Sequence, residues 1–413
     1  MTQDERWQKR YEELVDFIKV NRRNPSNPRI EEHDMLNWLK ANRKKMNYSE
    51  HQKAARMAAL AQGVTPEQFD RQETWYYDET DNVKHLVLLQ SRKVNADSDR
   101  CFVLGGIQAE DIITDEELHS SLGKTPGKEL KANKDLRGNF EVILRKENLK
   151  KVLELIETKG WNIHFMMVQV WYYAFVDIID SINNNIGLSF SLKAILYKIL
   201  KTFPDDTVNH LGKYHYPNIA DRDKVAFLTG LVELTWVFLK AHPNANDTIM
   251  ALILVRLLNN AKAKTKLTFI QDESPDEWVT WFKQFYAFEI ASYPQKTLVL
   301  DTEKQVEKSI SEKPIEIDGV AMTNYRFEDS SNPMIQVCDY VVSILRKYAV
   351  FLDRSFAEVI ADINKFEVAQ LDNFKLLNKI LKRSLDNNPL YFHYITSVEL
   401  QYNINQLMER YGI

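Results

Sequence analysis

Short apolar runs separated by polar turns occupy residues 73–107 and predict three strands. The first run, Trp75-Tyr76-Tyr77, ends at Asp78, and the next two cover 85–90 and 101–107. Three strands in direct succession, joined by short turns, are typical of an antiparallel meander. The pattern therefore predicts that this part of the chain begins a sheet.

A helix over 139–159 and a strand over 161–170 are predicted next. The strand is apolar for most of its length, so we expect it to be buried on both faces. Four segments then show helical periodicity, namely 171–183, 190–203, 223–240 and 245–262. Together they predict a helical insertion over about 171–264.

Strand patterns return after the insertion. One run covers 265–271 and ends in Asp272-Glu273, and a shorter one covers 297–300. An apolar helix is predicted over 333–352, and residues 355–413 are predicted to be helical. The late part of the chain thus adds strands to the sheet and closes with helices.

The first 70 residues show a different pattern. Trp7, Tyr11, Leu14 and Phe17 recur at helical spacing, and further short helices are predicted after a proline-containing break. Basic residues are frequent here, which fits either a solvated helix face or a nucleic-acid contact. The chain is therefore expected to divide into 1–70, an α/β domain over 71–352 with the helical insertion, and a C-terminal helical segment over 353–413.

Composition narrows the class of protein. The 413 residues are 44% hydrophobic and 27% charged, with a net charge of −4, so any nucleic acid must be held by a local patch rather than an overall basic surface. Cys101 and Cys338 lie in apolar runs, and two cysteines exclude a disulfide framework. No apolar signal core or bilayer-length run is found, so we expect a cytoplasmic protein without a membrane partner.

Four separated acids are the candidates for chemistry: Asp78, Glu129, Asp272 and Asp339. Asp78 and Asp272 end predicted strands, and Asp339 lies on the apolar stripe of its helix, where an unpaired carboxylate is costly. Taken singly, each has an ordinary interpretation as a turn residue, an exposed loop residue or a salt-bridge partner. Taken together, they predict a shared site for Mg²⁺ or Mn²⁺.

Several short motifs occur in a fixed order around these acids. They are Asp78-Glu79-Thr80, Gly105-Gly106, Glu129-Leu130-Lys131, Asp272-Glu273, Ser330-Ser331 and Gln336-Val-Cys-Asp339. In this order they resemble the family known as domain of unknown function 3800, a ribonuclease H-like group common in bacteria and their mobile elements. Thr80 replaces the usual Ser and Cys338 the usual Ala. The long insertion leaves open whether Asp272, Glu273 or Asp301 is the late-strand ligand.

The resemblance implies a ribonuclease H-like mixed sheet and a two-metal nuclease acting on RNA or DNA. Asp78 would bridge the ions, with Glu129, Asp272 and Asp339 completing the coordination. Lys131 would lie near the scissile phosphate, unless it is simply an exposed loop lysine. Gln336 would orient a ligand or water, or would pack. Defence against phage or plasmids is the biological setting that such a family suggests.

Residues 4–62 separately resemble the helicase-associated domain, a short three-helix module. The matching residues are Trp7, Tyr11, Pro28, Leu36, Trp38 and Arg43. The glycine that this module carries before its proline link is absent here. The resemblance implies a nucleic-acid-binding appendage, assisted by a basic C-terminal segment that contains Lys375, Lys379, Lys382 and Arg383.

Two other functions fit the same sequence. The chain could keep the fold and bind nucleic acid, protein or a second copy of itself without turnover, in which case binding would be insensitive to a chelator. It could instead be a metal-dependent phosphohydrolase acting on nucleotides, which would not need residues 1–70. A Gly-x-Ser-x-Gly elbow and a phosphate-binding Gly-Lys-Ser/Thr loop are both absent from the sequence.

Overall fold

A computed structural model describes most of the chain. It covers residues 52–412, apart from 54–55, 58, 61–62, 83, 92, 184–187, 244, 265, 272, 280–281 and 318. Within this range the chain forms two compact units. The sheet unit contains residues up to 82, 101–168 and 283 onward, and the helical unit contains 83–100 and 169–282.

Ten strands form among the described residues. They are β1 (Thr74–Thr80), β2 (Leu86–Val87), β3 (Cys101–Gln108), β4 (Asn162–Gln169), β5 (Glu277–Val279), β6 (Thr297–Asp301), β7 (Glu316–Ile317), β8 (Val320–Ala321), β9 (Tyr325–Glu328) and β10 (Phe392–Ile395). Six of them make one mixed sheet in the order β10-β4-β3-β1-β6-β9. The predicted α/β class is confirmed at this level.

Sixteen helices of four or more residues accompany these strands in the described ranges. They are α1 (Pro66–Asp70), α2 (Asp115–Leu122), α3 (Ala132–Asp135), α4 (Phe140–Ile143), α5 (Glu147–Lys159), α6 (Val170–Ile182), α7 (Ser189–Thr202), α8 (Pro204–Lys213), α9 (Lys224–Ala241), α10 (Ala245–Ala261), α11 (Lys283–Ser292), α12 (Lys304–Glu312), α13 (Pro333–Leu352), α14 (Phe356–Ile363), α15 (Val368–Asn387) and α16 (Val398–Tyr411). The helix predicted over 333–352 is found with those bounds.

The centre of the sheet is β1, which is antiparallel to β3 and parallel to β6. In these registers Tyr77 lies opposite Gly106 of β3 and beside Leu300 of β6. Strand β6 in turn pairs in parallel with β9. Because β1 and β6 run in the same direction, their carboxyl ends reach the same edge of the sheet.

Helix α13 packs closely on β1 and β3. The Cys338 thiol donates a 3.2 Å hydrogen bond to the Tyr76 carbonyl, and both predicted core cysteines are buried thiols outside any disulfide. A Cβ added at Gly106 would meet the Cys338 sulfur at 2.3 Å and the Tyr76 carbonyl at 2.4 Å. Gly106 is therefore required for α13 to approach the sheet.

The predicted meander is wrong, because β1 pairs directly with β3. Strand β2, which covers only part of the predicted run 85–90, belongs to the helical unit and pairs there with β5. The Asn95 side chain holds this turn by accepting from the Val87 N–H at 2.9 Å and donating to the His85 carbonyl at 2.7 Å. Local side-chain bonds have thus replaced a ladder with β1.

The strand predicted over 265–271 is also wrong. Residues 268–271 form a turn and bends, and the Leu267 N–H donates to the Gln271 side-chain oxygen at 2.5 Å. The Gln271 side-chain nitrogen in turn donates to an Asp221 oxygen at 2.7 Å. These bonds curl the segment back on itself, so its polar backbone groups are satisfied without a sheet.

Two further differences concern helices. The helix predicted over 139–159 is interrupted between α4 and α5, where Asn373 donates to the Leu144 carbonyl at 2.9 Å. The segment predicted to be wholly helical over 355–413 contains β10, which pairs in parallel with β4. Tertiary partners decide both cases, since a carbonyl freed from a helix needs another donor and a sheet edge needs a strand.

The helical unit contains α6 to α10 together with β2 and β5. Its first helix, α6, is buried along almost its whole length. Most of the predicted N-terminal module, including all six residues that resemble the helicase-associated domain, lies outside the described residues. Among those described, no helix combines the length and apolar character needed to cross a bilayer.

Candidate acidic site

The carboxyl ends of β1 and β6 bring three acids together in the sheet unit. Tyr77 pairs with Leu300, so Asp78 and Asp301 are the next residues of two neighbouring parallel strands, close to their carboxyl ends. Each of Asp78, Glu79 and Asp301 has a carboxylate oxygen, and these oxygens lie within 4.8 Å of one another. All three residues are half-buried. We call them the three-acid group.

Asp339 approaches this group from α13. Asn332 caps the helix by accepting from the Met334 N–H at 2.8 Å, and Pro333 occupies the first turn. One Asp339 oxygen accepts from the Ala132 N–H at 2.9 Å. Burial raises the pKa of Asp339, and that hydrogen bond and Lys131 only partly oppose it.

The segment 129–132 is hydrogen-bonded to α13. The Leu130 N–H donates to the Gln336 side chain at 3.0 Å, so Gln336 fixes this segment. Glu129 is exposed, and its carboxylate forms a 2.7 Å ion pair with the Lys131 ammonium. Hydrogen bonds from Lys131 and Ser330 lower the pKa of Glu129. Glu129 is therefore not a member of the three-acid group.

The pKa values of the three acids reflect their burial and their mutual repulsion. Burial raises the pKa of Asp78 well above its ordinary value, and the charges of Glu79, Asp339 and Asp301 raise it further. Burial raises the pKa of Glu79 to about 7, although a hydrogen bond from Tyr286 opposes the shift. The pKa of Asp301 is raised as well, first by burial. Each carboxylate thus makes its neighbours harder to ionise.

No basic side chain neutralises the three-acid group directly. In the described part of the chain, Asp78, Glu79 and Asp301 have no Lys, Arg or His nitrogen within 4.0 Å. The charge of Lys131 favours ionisation of Asp301 and Asp339, but its ion pair is with Glu129. Hard carboxylate oxygens with this spacing and without a paired cation are a donor set that fits Mg²⁺ or Mn²⁺.

The structure brings together some of the predicted site residues and not others. Asp78 and Asp339 act on each other electrostatically, and the charges of both reach Lys131. Asp272 lies outside the described residues. Of the two other late acids weighed in the sequence, Asp301 ends a sheet strand and Glu273 belongs to the helical unit.

Glu79 was missed as a site residue, although it follows Asp78 directly. Side chains alternate along a strand, which predicts opposite faces for neighbours. At the end of β1, however, the oxygens of both acids converge with that of Asp301. The usable signal was the run of two acids after a buried aromatic strand, together with an acid ending the short run 297–300.

Comparison with known proteins adds no family to this description. No protein-family model, no curated protein and no solved structure matches the chain.

Proposed function

We propose that the sheet unit is a divalent-metal-dependent nuclease with a ribonuclease H-like sheet. The observation that carries the proposal is the three-acid group, in which half-buried carboxylates lie within 4.8 Å of one another without a neutralising side chain from any described residue. Leaving such charge uncompensated costs stability, so a compensating ion is its simplest explanation. Asp339 extends the acidic surface beside it.

Asp78, Glu79 and Asp301 would hold Mg²⁺ or Mn²⁺. When bound, such ions polarise phosphoryl oxygens and lower the pKa of water, which is the chemistry phosphodiester hydrolysis needs. Asp339, held by the Ala132 N–H, would fix the edge of the site. The Lys131 ammonium would contact a phosphate oxygen, and its pKa, lowered by burial but raised more by Glu129, Asp339 and Asp78, keeps it charged.

The sheet supports the ribonuclease H-like part of the proposal. Its first strand, β1, is central, with an antiparallel neighbour on one side and a parallel late strand on the other. The two parallel strands deliver acids to one edge, and a late helix, α13, delivers another. This arrangement is consistent with a ribonuclease H-like sheet.

Nucleic acid is the substrate class favoured by the charge beside the site. Residues 124–151 contain nine Lys and Arg and four Asp and Glu, in a chain whose net charge is −4. Lys128, Lys134 and Arg137 are exposed and, among described residues, have no carboxylate within 4.0 Å. Lys131, in the same segment, acts on the acids through its charge. Unpaired cations next to a phosphate site suit a polyanionic backbone.

The basic C-terminal segment is a poorer candidate for that role. Lys379 and Arg383 both pair with Glu157, the former at 2.9 Å. Lys382 pairs with Asp386 at 2.8 Å and with Glu409 at 3.3 Å. Three of the four predicted cations therefore already have carboxylate partners. The segment 124–151 replaces it in the proposal.

Cleavage assays on labelled single- and double-stranded RNA and DNA test the proposal. We expect cleavage with Mg²⁺ or Mn²⁺, none with EDTA, and at least a hundredfold lower rate for Asp78→Asn and for Asp301→Asn. Asp111→Asn is the matched control, because Asp111 is an exposed acid of the same unit. Full activity in the Asp78→Asn/Asp301→Asn double variant would remove these acids from the mechanism.

A second assay separates nucleic acid from small phosphates. Lys134→Glu/Arg137→Glu should weaken nucleic-acid binding at least tenfold at low salt, with a shallower salt dependence. Lys308→Glu/Lys313→Glu changes charge equally at two exposed positions outside the segment. Hydrolysis of a mononucleotide analogue with unchanged rate in both variants would favour a nucleotide phosphohydrolase. Binding that persists without cleavage under every metal condition would favour a non-catalytic binding protein.

A further inference from the structure

His119, on α2, has both ring nitrogens against hydrogen-bond acceptors. The side chain is fully shielded from solvent. Its Nδ1 lies 2.8 Å from the Asp115 carbonyl oxygen, and its Nε2 lies 2.7 Å from the Lys128 carbonyl oxygen. A carboxylate oxygen of Asp115 also lies 3.1 Å from Nδ1. A carbonyl oxygen can only accept, so both ring nitrogens must donate.

A neutral imidazole cannot meet this requirement. It carries one N–H, and its other nitrogen presents a lone pair. In either neutral tautomer one nitrogen would therefore face a carbonyl oxygen lone pair to lone pair, without solvent to intervene. We infer that His119 is a positioning residue, held as an imidazolium whose Nδ1–H bonds to Asp115 of its own helix and whose Nε2–H fastens the segment that carries Glu129 and Lys131.

The bond to Lys128 is one of several anchors on that segment. Lys128 directly precedes Glu129, and the next two anchors are the Leu130 N–H on Gln336 and the Ala132 N–H on Asp339. The latter two depend on α13, whereas the His119 bond ties the segment to α2. Losing it would release the side of the segment that presents Lys131 to the site.

The charges around His119 favour the imidazolium. Burial alone lowers the pKa of His119, but the carbonyls of Asp115 and Lys128 and the charges of Asp115 and Glu116 outweigh it, so the pKa is raised. The cations of the neighbouring elements have other partners. On α5, Lys151 contacts the Leu122 carbonyl and Lys159 faces Glu117, and in the loop after α2, Lys124 pairs with Asp135.

The raised pKa of His119 sets the direction in which stability changes with pH. A histidine whose folded-state pKa lies above its unfolded value contributes stability that is complete below the unfolded pKa of about 6.5 and disappears as pH rises through the folded pKa. The segment 128–131 should therefore be fully fastened below about pH 6.5 and loosen as pH rises through the raised pKa of His119.

The protonation state can be measured directly, without reference to any activity. Nitrogen-15 NMR of the histidine rings in wild-type protein, followed as the pH is raised, should show both nitrogens of His119 still protonated at the ordinary histidine pKa of about 6.5. His119→Gln assigns the signal. Loss of one of the two protons at or below that ordinary pKa overturns the inference, whatever the protein hydrolyses. The same experiment remains informative if the variant folds poorly, since it is read on the wild type and assignment can use Asp115→Asn.

The positioning role is tested by a matched pair in the first turn of α2. Asp115→Asn removes the charge 3.1 Å from Nδ1 and should lower the pH at which amide exchange of Glu129 and Leu130 accelerates by about one unit. Glu116→Gln, one residue along, should shift it less. Equal shifts, or exchange that does not follow His119 titration, overturn the positioning role.

The consequence for cleavage rests on the proposed nuclease function. The alkaline limb of the rate profile should follow the His119 titration, move down in Asp115→Asn and vanish in His119→Gln, with an overall rate lowered about tenfold. An unchanged alkaline limb in both variants overturns the link to the site. Absence of any cleavage in wild type contradicts the proposed function and leaves the NMR and exchange results to decide this inference.

Discussion

The two ends of the β1–β6 pair differ in whether their acidic side chains have a basic partner. At the amino ends, Glu73 and Lys296 immediately precede the strands and form a fully buried ion pair at 3.2 Å. Glu73 also accepts from Trp75 and Tyr391 at 3.0 Å, and Lys296 donates to the Arg71 carbonyl at 2.7 Å. At the carboxyl ends, the described part of the chain gives the three-acid group no such cation.

This difference shows that the uncompensated charge is not a general property of the fold. The same two strands hold a buried carboxylate with a matching ammonium and several hydrogen bonds at one end. At the other end the chain leaves at least three carboxylates close together, and burial, with their mutual charges, raises their pKa values. Sites that depart from local stability in this way are commonly functional.

Removing the cation at the amino end should cause the largest change in the free energy of unfolding. Lys296→Met leaves Glu73 buried and unpaired, so the free energy of unfolding should fall by about 3–5 kcal/mol. Urea denaturation measures the loss. Lys308→Met, at an exposed position, should change it by less than about 0.5 kcal/mol. Equal losses in the two variants would mean that the buried pair is not what distinguishes this end.

The carboxyl end should instead lose stability as its acids ionise. Glu79 has a folded pKa of about 7 against 4.5 when unperturbed. The neutral form is favoured in the folded state, so stability is highest below pH 4.5 and declines up to pH 7, by roughly 3 kcal/mol for this group. Denaturation in EDTA across this range measures it. Stability that rises monotonically from pH 4.5 to 7, in Glu79→Gln as in wild type, would contradict it.

Divalent metal should supply at the carboxyl end what Lys296 supplies at the amino end. At a hundredfold excess over its dissociation constant, Mn²⁺ should stabilise the protein by about 2.7 kcal/mol at neutral pH. The gain should disappear in Asp78→Asn/Asp301→Asn and persist in Asp111→Asn. An equal gain in the double variant would place the ion elsewhere.

Neutralising one acid should give the smallest change in the free energy of unfolding. Unlike most substitutions, it should stabilise the protein. Without metal, Asp301→Asn relieves repulsion of Asp78 and Glu79, so stability at pH 7 should rise by ~1 kcal/mol. The same variant should lose cleavage. Thermal unfolding in EDTA measures the gain, and Asp111→Asn should show none. A destabilised Asp301→Asn would indicate a structural carboxylate rather than a site residue.

Elements with strong internal periodicity could be predicted from the sequence. Helix α13 and strands β1, β3 and β4 follow from their own apolar patterns, and Asp78 and Asp339 stood out because they interrupt such patterns. Elements that depend on partners could not. The sequence pattern predicts a helix where β10 forms and a strand over 267–271. Only the pairing of β10 with β4 and the hydrogen bonds of Gln271 show otherwise.

The candidate site divides in the same way. The sequence by itself determined that buried strands and a buried helix carry carboxylates, because a charge within an apolar pattern is visible in one dimension. Only the tertiary structure decided that Asp301 and Glu79 stand beside Asp78, since this depends on the parallel register of β1 and β6. It also decided the roles of Gln336 and His119, because a hydrogen bond between distant segments depends on geometry that residue order does not encode.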